Sequence, residues 1–300
     1  MSFVHDTVLL HESVAALHPV DGGCYVDCTL GGGGHTELLL ESADCTVIGL
    51  DRDPAALAAS TERLARFGDR FIPVRATFSS LHDVLRAQGR DKVQGILADI
   101  GVSSPQLDDG ARGFSIRNVG PIDMRMDPDA ELSAAEIVNE WTIDEITKIV
   151  RDYGEERHAR RVATAIVEGR PWRDTGALAG AVAGVVGKGK GRIHPATRTF
   201  QGLRIAVNDE LGELERLLAA SVTALAPAGW LAIITFHSLE DRLVKQFLAA
   251  EAGKQAERDP WGNAIGSFRM APPAKPVTAP PDDPNPRARS ARLRSAMRLP

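Results

Sequence analysis

The chain is poor in the features that mark several large protein classes. It has only three cysteines, Cys24, Cys28 and Cys45. An odd count, with two on one apolar run, does not make a disulfide framework. Cys24 and Cys28 lie four apart without a second Cys/His pair, which argues against zinc, and no metal site is expected. Reduced, partly buried thiols in a cytoplasmic protein are the simpler expectation. No apolar run approaches the length of a membrane span, so no membrane partner is expected. The first residues, Met1-Ser2-Phe3-Val4-His5-Asp6, lack the basic and apolar segments of a secretory signal. There is no internal repeat. A formal net charge of −5 rules out a polycationic surface, so any nucleic-acid contact needs a local basic patch.

What is present is an ordinary globular composition over 300 residues, 43% hydrophobic and 25% charged. Four consecutive glycines, Gly31 to Gly34, follow the apolar run Cys24–Thr29 and precede a helical stretch. Glycine reaches positive φ cheaply and lets a ligand approach the backbone. A strand–glycine turn–helix unit also points amide N–H groups at an anion. Further short β-rich runs at Cys45–Leu50, Phe71–Val74 and Val93–Ile100 alternate with helical stretches, which predicts a parallel sheet with crossover helices. From about Gln106 the alternation stops, and helices dominate to Phe200. Residues 1–105 and 202–300 are therefore expected to form one α/β domain, with 106–201 inserted as a helical domain. Apolar residues every three or four positions from Leu203 to Leu225 predict one long amphipathic helix. A buried strand at Trp230–Phe236 and another helix follow. The proline-rich segment after Ala271 suits edge strands only.

The glycine turn gains meaning from its acids. Asp51 lies twenty residues past Gly31, where a carboxylate in a nucleotide-binding sheet accepts two hydrogen bonds from a ribose diol. Capping of the next helix is the competing role for the Asp51/Asp53 pair. The dinucleotide pattern G-x-G-x-x-G fails, with Thr36 or Glu37 in the sixth place. Asp27, four residues before Gly31, would repel a pyrophosphate but suits an ammonium group. An amino-acid nucleoside such as S-adenosylmethionine fits better than NAD. The stretch from Gly184 to Lys190 resembles a P-loop but continues with Gly191 where magnesium needs Ser/Thr. It reads as a basic surface loop. Asp99, ending the fourth predicted strand, sits where open α/β sheets do chemistry, as do Ser103, Ser104 and Gln106.

A series of motifs, in order, resembles one family. Among them are Asp27-x-Thr29-x-Gly31-x-Gly33-Gly34-His35, Asp51-Arg52-Asp53-Pro54 and Asp99-x-Gly101-Val102-Ser103-Ser104-Pro105-Gln106-Leu107-Asp108. Others are His194-Pro195-Ala196-Thr197-Arg198, Phe236-His237-Ser238-Leu239-Glu240-Asp241-Arg242 and Asn285-Pro286-Arg287-x-Arg289-Ser290. Together they resemble the bacterial ribosomal RNA small subunit methyltransferase H, or MraW, family. The resemblance implies a Rossmann-like sheet with an all-helical insertion. It also implies S-adenosylmethionine-dependent methylation of a cytidine N4 amine in 16S rRNA, at the decoding centre of the 30S subunit. The cofactor residues it implies are Gly33, Gly34, His35, Asp51, Phe78, Asp99 and Gln106.

Asp99 is the candidate proton acceptor, with the Ser103 and Ser104 hydroxyls behind it. Phe114 and Phe236 are candidate base-gripping aromatics, although single aromatics more often belong to a core. His237, Ser238, Glu240 and Asp241 are expected to form a helix cap, Ser238 with Asp241; His237 is also a candidate RNA contact. Arg287 to Arg298 carries five arginines and no acid, so Arg287, Arg289, Arg292 and Arg294 are expected to meet RNA phosphates, with Lys188 and Lys190 of the basic loop. Truncation after Pro284 is then expected to weaken RNA binding and spare cofactor affinity. A methyltransferase acting on a small molecule, with the insertion as its lid, is the alternative reading.

Overall fold

The computed structural model describes residues 7–187, 194–261, 265–285 and 287–300. The chain separates into two compact units, one of Met1–Gly101 with Leu211–Pro300, the other of Val102–Glu210. The first unit opens with α1 (Leu10–Ala16), β1 (Cys24–Asp27), α2 (Gly34–Ser42), β2 (Thr46–Asp51), α3 (Pro54–Leu64), β3 (Phe71–Arg75), α4 (Leu81–Ala87) and β4 (Val93–Asp99). The second unit holds α5 (Ser104–Asp108), α6 (Ala134–Glu140), α7 (Ile143–Asp152), α8 (Ala159–Glu168), α9 (Thr175–Val186) and α10 (Thr197–Asn208). The chain then returns through α11 (Glu210–Ala224), β5 (Leu225–Thr235), α12 (Ser238–Glu251), β6 (Val277–Thr278) and β7 (Arg292–Met297).

The seven strands form one sheet in the order β3-β2-β1-β4-β5-β7-β6. The first five are parallel, and β7 runs antiparallel to both β5 and β6. All four residues of β1 are buried, because helices cover both faces of a parallel sheet. Alternation persists underneath. Ile48, Leu50, Ile96 and Ala98 join one core layer with α4, α11 and α12, while Val47 and Leu97 join the other with α1, α2 and α3. The strand order reverses at β1 and β4, and the crevice at their carboxyl ends is where such sheets hold ligands.

The second unit has its own core, built from Ile137, Val138, Ile146, Val150, Val162, Ile166 and neighbours. A reciprocal cap between Thr142 and Glu145 starts α7. Asp123 and Arg125 form a structural ion pair at 2.8 Å.

Three expectations change. The long helix from Leu203 to Leu225 is two helices, α10 and α11, parted at Asp209 with φ of 46°. Asn208 fixes the break: its Nδ2 donates to the Met124 carbonyl at 2.7 Å and its Oδ1 accepts from the Met126 amide at 2.8 Å. Apolar periodicity carries no trace of that tertiary bond. The cap of α12 lies one residue earlier than expected, with His237 as N-cap and Glu240 as its partner rather than Ser238 with Asp241. Finally, much of the arginine run is strand β7. The acid it lacks comes from α12: Asp241 accepts from Arg294 at 2.7 and 3.1 Å and from Arg292 at 3.3 Å.

Candidate active site

The glycine turn is stitched to both neighbouring strands. The Cys28 amide donates to the Leu97 carbonyl at 2.8 Å, and Leu30 to Leu50 at 2.9 Å. Gly33 has φ of 77°, a value that disfavours any residue with a Cβ. At Gly34 a Cβ would lie 2.0 Å from the Thr7 hydroxyl, so the backbone passes where no side chain fits. Asp27 braces the turn from below. It is wholly buried, its Oδ2 accepting from the Thr36 hydroxyl at 2.8 Å and its Oδ1 from the Thr29 amide at 3.1 Å. Burial pushes its pKa up to about 6 against the pull of those bonds. The expectation that Asp27 holds a ligand's ammonium group therefore meets a carboxylate already engaged by protein donors. His35 is buried as well, and its Nε2–H donates to the Val8 carbonyl at 3.2 Å.

Asp51 and Asp53 divide their two expected roles. Asp53 caps α3, accepting from the Ala55 amide at 3.0 Å. Asp51 accepts from the Gly31 amide and from the Asp53 amide, each at 2.9 Å. Burial raises its pKa despite these two donors. The β2 carboxylate is thus locked onto the glycine turn it was expected to accompany. Phe78 follows β3 in a short 3-10 turn, half-buried, with the Arg52 guanidinium 5.6 Å from its ring centre. Glu213 holds the next residue, accepting from the Ser79 amide and hydroxyl at 3.0 Å each.

Asp99 ends β4. Its amide donates to the Thr29 hydroxyl at 2.5 Å, which ties it to the turn. Its Oδ1 is shielded from solvent and has no hydrogen-bond partner among the described residues. Burial pushes its pKa up to about 7; the Arg287 charge pulls down, while Asp27 and Glu240 push up. Arg287 also lies 5.7 Å from the centre of the Phe236 ring. Buried Glu240 fixes the start of that segment, its Oε2 accepting from the Phe236 amide at 2.8 Å and the His237 amide at 3.2 Å. The His237 ring nitrogen Nε2 faces Glu240 Oε1 at 2.9 Å. Phe236 is half-buried, whereas Phe114 belongs to the core of the second unit.

The first unit thus gathers Gly33, Gly34, His35, Asp51 and Asp99 around one turn, with Asp27 beneath. Ser103, Ser104 and Gln106 belong to the second unit. There Ser103 caps α5 and exchanges hydrogen bonds with Gln106, its hydroxyl accepting the Gln106 amide at 3.4 Å and its own amide donating to the Gln106 side chain at 3.0 Å. Ser104 is the first residue of α5. Lys188 and Lys190 lie outside the described residues. Arg289 and Arg292 are exposed and Arg294 is buried. Reading the residues alone gives no role to Thr29, although its place two past Asp27 is a local signal. The link from Arg287 to Asp99 crosses almost the whole unit and leaves no signal in sequence spacing.

The set fits a nucleoside-type cofactor: an acid at β2, a turn that a Cβ would fill, and a shielded carboxylate oxygen still open to a donor. A five-stranded parallel run extended by antiparallel β7, with its acids at the switch point, is the fold of the Rossmann-like methyltransferases. The model of the MraW methylase family matches residues 2–299, and the chain belongs to that family. It is 53% identical to a ribosomal RNA small subunit methyltransferase H of Rhodospirillum centenum, across 98% of this chain and 92% of that protein. A protein of the same name from Synechococcus elongatus is 49% identical, covering 99% and 96%. One from Heliobacterium modesticaldum is 48% identical over the full length of both.

Proposed function

We propose that this chain transfers a methyl group from S-adenosylmethionine to the N4 amine of one cytidine in 16S rRNA, at the decoding centre of the 30S subunit. The observation that carries this reading is Asp99, a carboxylate at a strand end with a shielded oxygen that has no hydrogen-bond partner among the described residues, and a pKa pushed up to about 7. Membership of a methylase family, and relatives named for small-subunit rRNA, support the acceptor. Bound at the glycine turn, S-adenosylmethionine supplies a methyl group open to in-line displacement by an amine.

The protein's residues do the positioning. Gly33, Gly34 and His35 form the cofactor wall, Asp51 takes the ribose hydroxyls, and Phe78 lies on the adenine side. Gln106 joins them by family resemblance. Asp99 accepts a hydrogen bond from the N4 amine, which steers the lone pair toward the methyl group. Methylation makes that nitrogen acidic, and Asp99 takes its proton. A carboxylate held near neutral pKa is a better acceptor than an ordinary one. Ser103 and Ser104 are weaker candidates, since the Ser103 hydroxyl already accepts the Gln106 amide. Phe236 is the aromatic best placed to meet the base. Arg287, Arg289, Arg292, His237, Lys188 and Lys190 are proposed to meet the RNA; Arg294 serves that surface indirectly, by fixing β7 through Asp241.

Labelled S-adenosylmethionine offered with 30S particles, free 16S RNA and a nucleotide pool tests the reading. Label in a 30S cytidine, removed by digestion as N4-methylcytidine, is the expected result. Label confined to small molecules would end it.

A further inference from the structure

At the carboxyl end of β5, one strand over from Asp99, a cavity of about 710 Å³ opens between α12 and the segment joining β6 to β7. Phe236 forms part of its wall, and four cations line it: Arg242, Lys245, Arg289 and Arg292. Its one carboxylate, Asp241, is engaged by Arg292 and Arg294. A second cavity of about 540 Å³ shares Lys245 as a wall and continues along α12. It adds Lys254, Arg258, Lys275 and Arg294, with no acid in its lining. The two cavities together present eight cations and a single carboxylate, on a chain whose net charge is −5. Asp241 answers Arg292 and Arg294, while Lys245, Lys254, Lys275 and Arg289 add positive charge that favours an anion. One small anion would occupy only a small part of either cavity. Two cavities in series, joined at a lysine and walled by prolines and alanines, suit a polyanion laid along them.

We propose that this track binds the sugar–phosphate backbone of single-stranded RNA next to the nucleotide presented at Phe236. The inference rests on the RNA reading above and deepens it. It names residues of α12 and of the proline-rich segment that the arginine run alone does not indicate. A positive groove that follows the backbone holds a strand without reading its sequence. Sequence choice is then left to the site beside Asp99.

The test uses the full chain and a short fluorescein-labelled oligouridylate, which contains no cytidine. Binding is followed by anisotropy over a range of salt. Single strands lose affinity with a log–log slope of about 0.7 per neutralised phosphate. Changing Lys245, Lys275 and Arg289 together to alanine should lower that slope by about 2, at 0.7 for each of three lost contacts, and weaken binding at least tenfold at low salt. Affinity for S-adenosylmethionine, measured by calorimetry, should stay the same and so report an intact fold. The charge-keeping set Lys245→Arg, Lys275→Arg and Arg289→Lys should keep the slope. An unchanged slope in the alanine variant, a wild-type chain that ignores the oligouridylate, or loss in the charge-keeping set would each overturn the track. The two readings fail separately. If wild-type protein labels 30S cytidine while the alanine variant binds oligouridylate normally, the track is wrong and the reaction stands. If no label enters 30S cytidine yet the slope falls as stated, the reaction is wrong and the track stands.

Discussion

Asp99 and Asp27 are both carboxyls whose pKa burial raises, to about 7 and about 6. Each holds its proton longer in the folded chain than in the unfolded one, where the value is roughly 3.9. Their contribution to stability is therefore fully present below pH about 4 and is lost as pH rises through 6 and 7. Asp99→Asn removes that penalty at its site. Its thermal midpoint is expected to match the wild type near pH 4 and to exceed it at pH 8. Methyl transfer should move the other way, falling by about 100-fold or more on loss of the proton acceptor. Wild-type kcat should climb with pH to a plateau above about 7, and the residual rate of Asp99→Asn should lack that step. A variant that keeps full activity would take Asp99 out of the reaction. The sequence shows Asp99 as an acid at a strand end, but nothing around residue 99 reveals the burial that raises its pKa or the Arg287 and Glu240 charges that adjust it. Those neighbours come from the far end of the unit.

Among the elements, β7 shows how a residue run changes meaning once it folds. Five arginines without an acid are expected, from the sequence, to meet RNA phosphates. In the fold only Arg292 and Arg294 lie in strand β7, two residues apart on one face, and both turn to Asp241. Removing the carboxylate leaves a buried guanidinium unpaired, so Asp241→Ala should cost about 3 kcal/mol in denaturant unfolding. Removing Asp83 from its exposed pair with Arg86 should cost less than about 0.5 kcal/mol. Equal costs would show that the Asp241 pair is not buried in solution. The elements with strong local signals were readable: the strands at the cofactor turn from their apolar runs, and α3 from Asp53-Pro54. The α10–α11 break was not, because Asn208 acts through Met124 and Met126, distant in sequence; the cap of α12 was placed one residue late because Ser238 is the commoner cap residue, although His237 and Glu240 stand at capping-box spacing.

At the scale of the molecule, the chain divides into a unit of Met1–Gly101 with Leu211–Pro300 and a compact helical unit of Val102–Glu210. That unit's return was placed too early because α10 was merged with the helix after it. The sheet's closure was harder to foresee: β5 and β6 both depend on β7. Truncation after Pro284 should therefore do more than weaken RNA binding. It strips the hydrogen-bond partner from Trp230–Thr235 and the countercharge from Asp241. The truncated chain is expected to lose its cooperative thermal transition and its cofactor affinity together. Retention of cofactor affinity would restore the simpler view of the run as a detachable arm.

The pairing of Thr235 with Arg292 also has a consequence for how the chain is made. The fifth strand leaves the ribosome 57 residues ahead of its partner. At about 5–20 residues per second that is a delay of roughly 3–11 seconds, with a long apolar edge exposed to other nascent chains. The helical unit has emerged complete by then and can fold behind it. The growing chain is thus vulnerable to misassembly between the making of β5 and of β7, and its acid at residue 99 meets Arg287 only after β6 has been made.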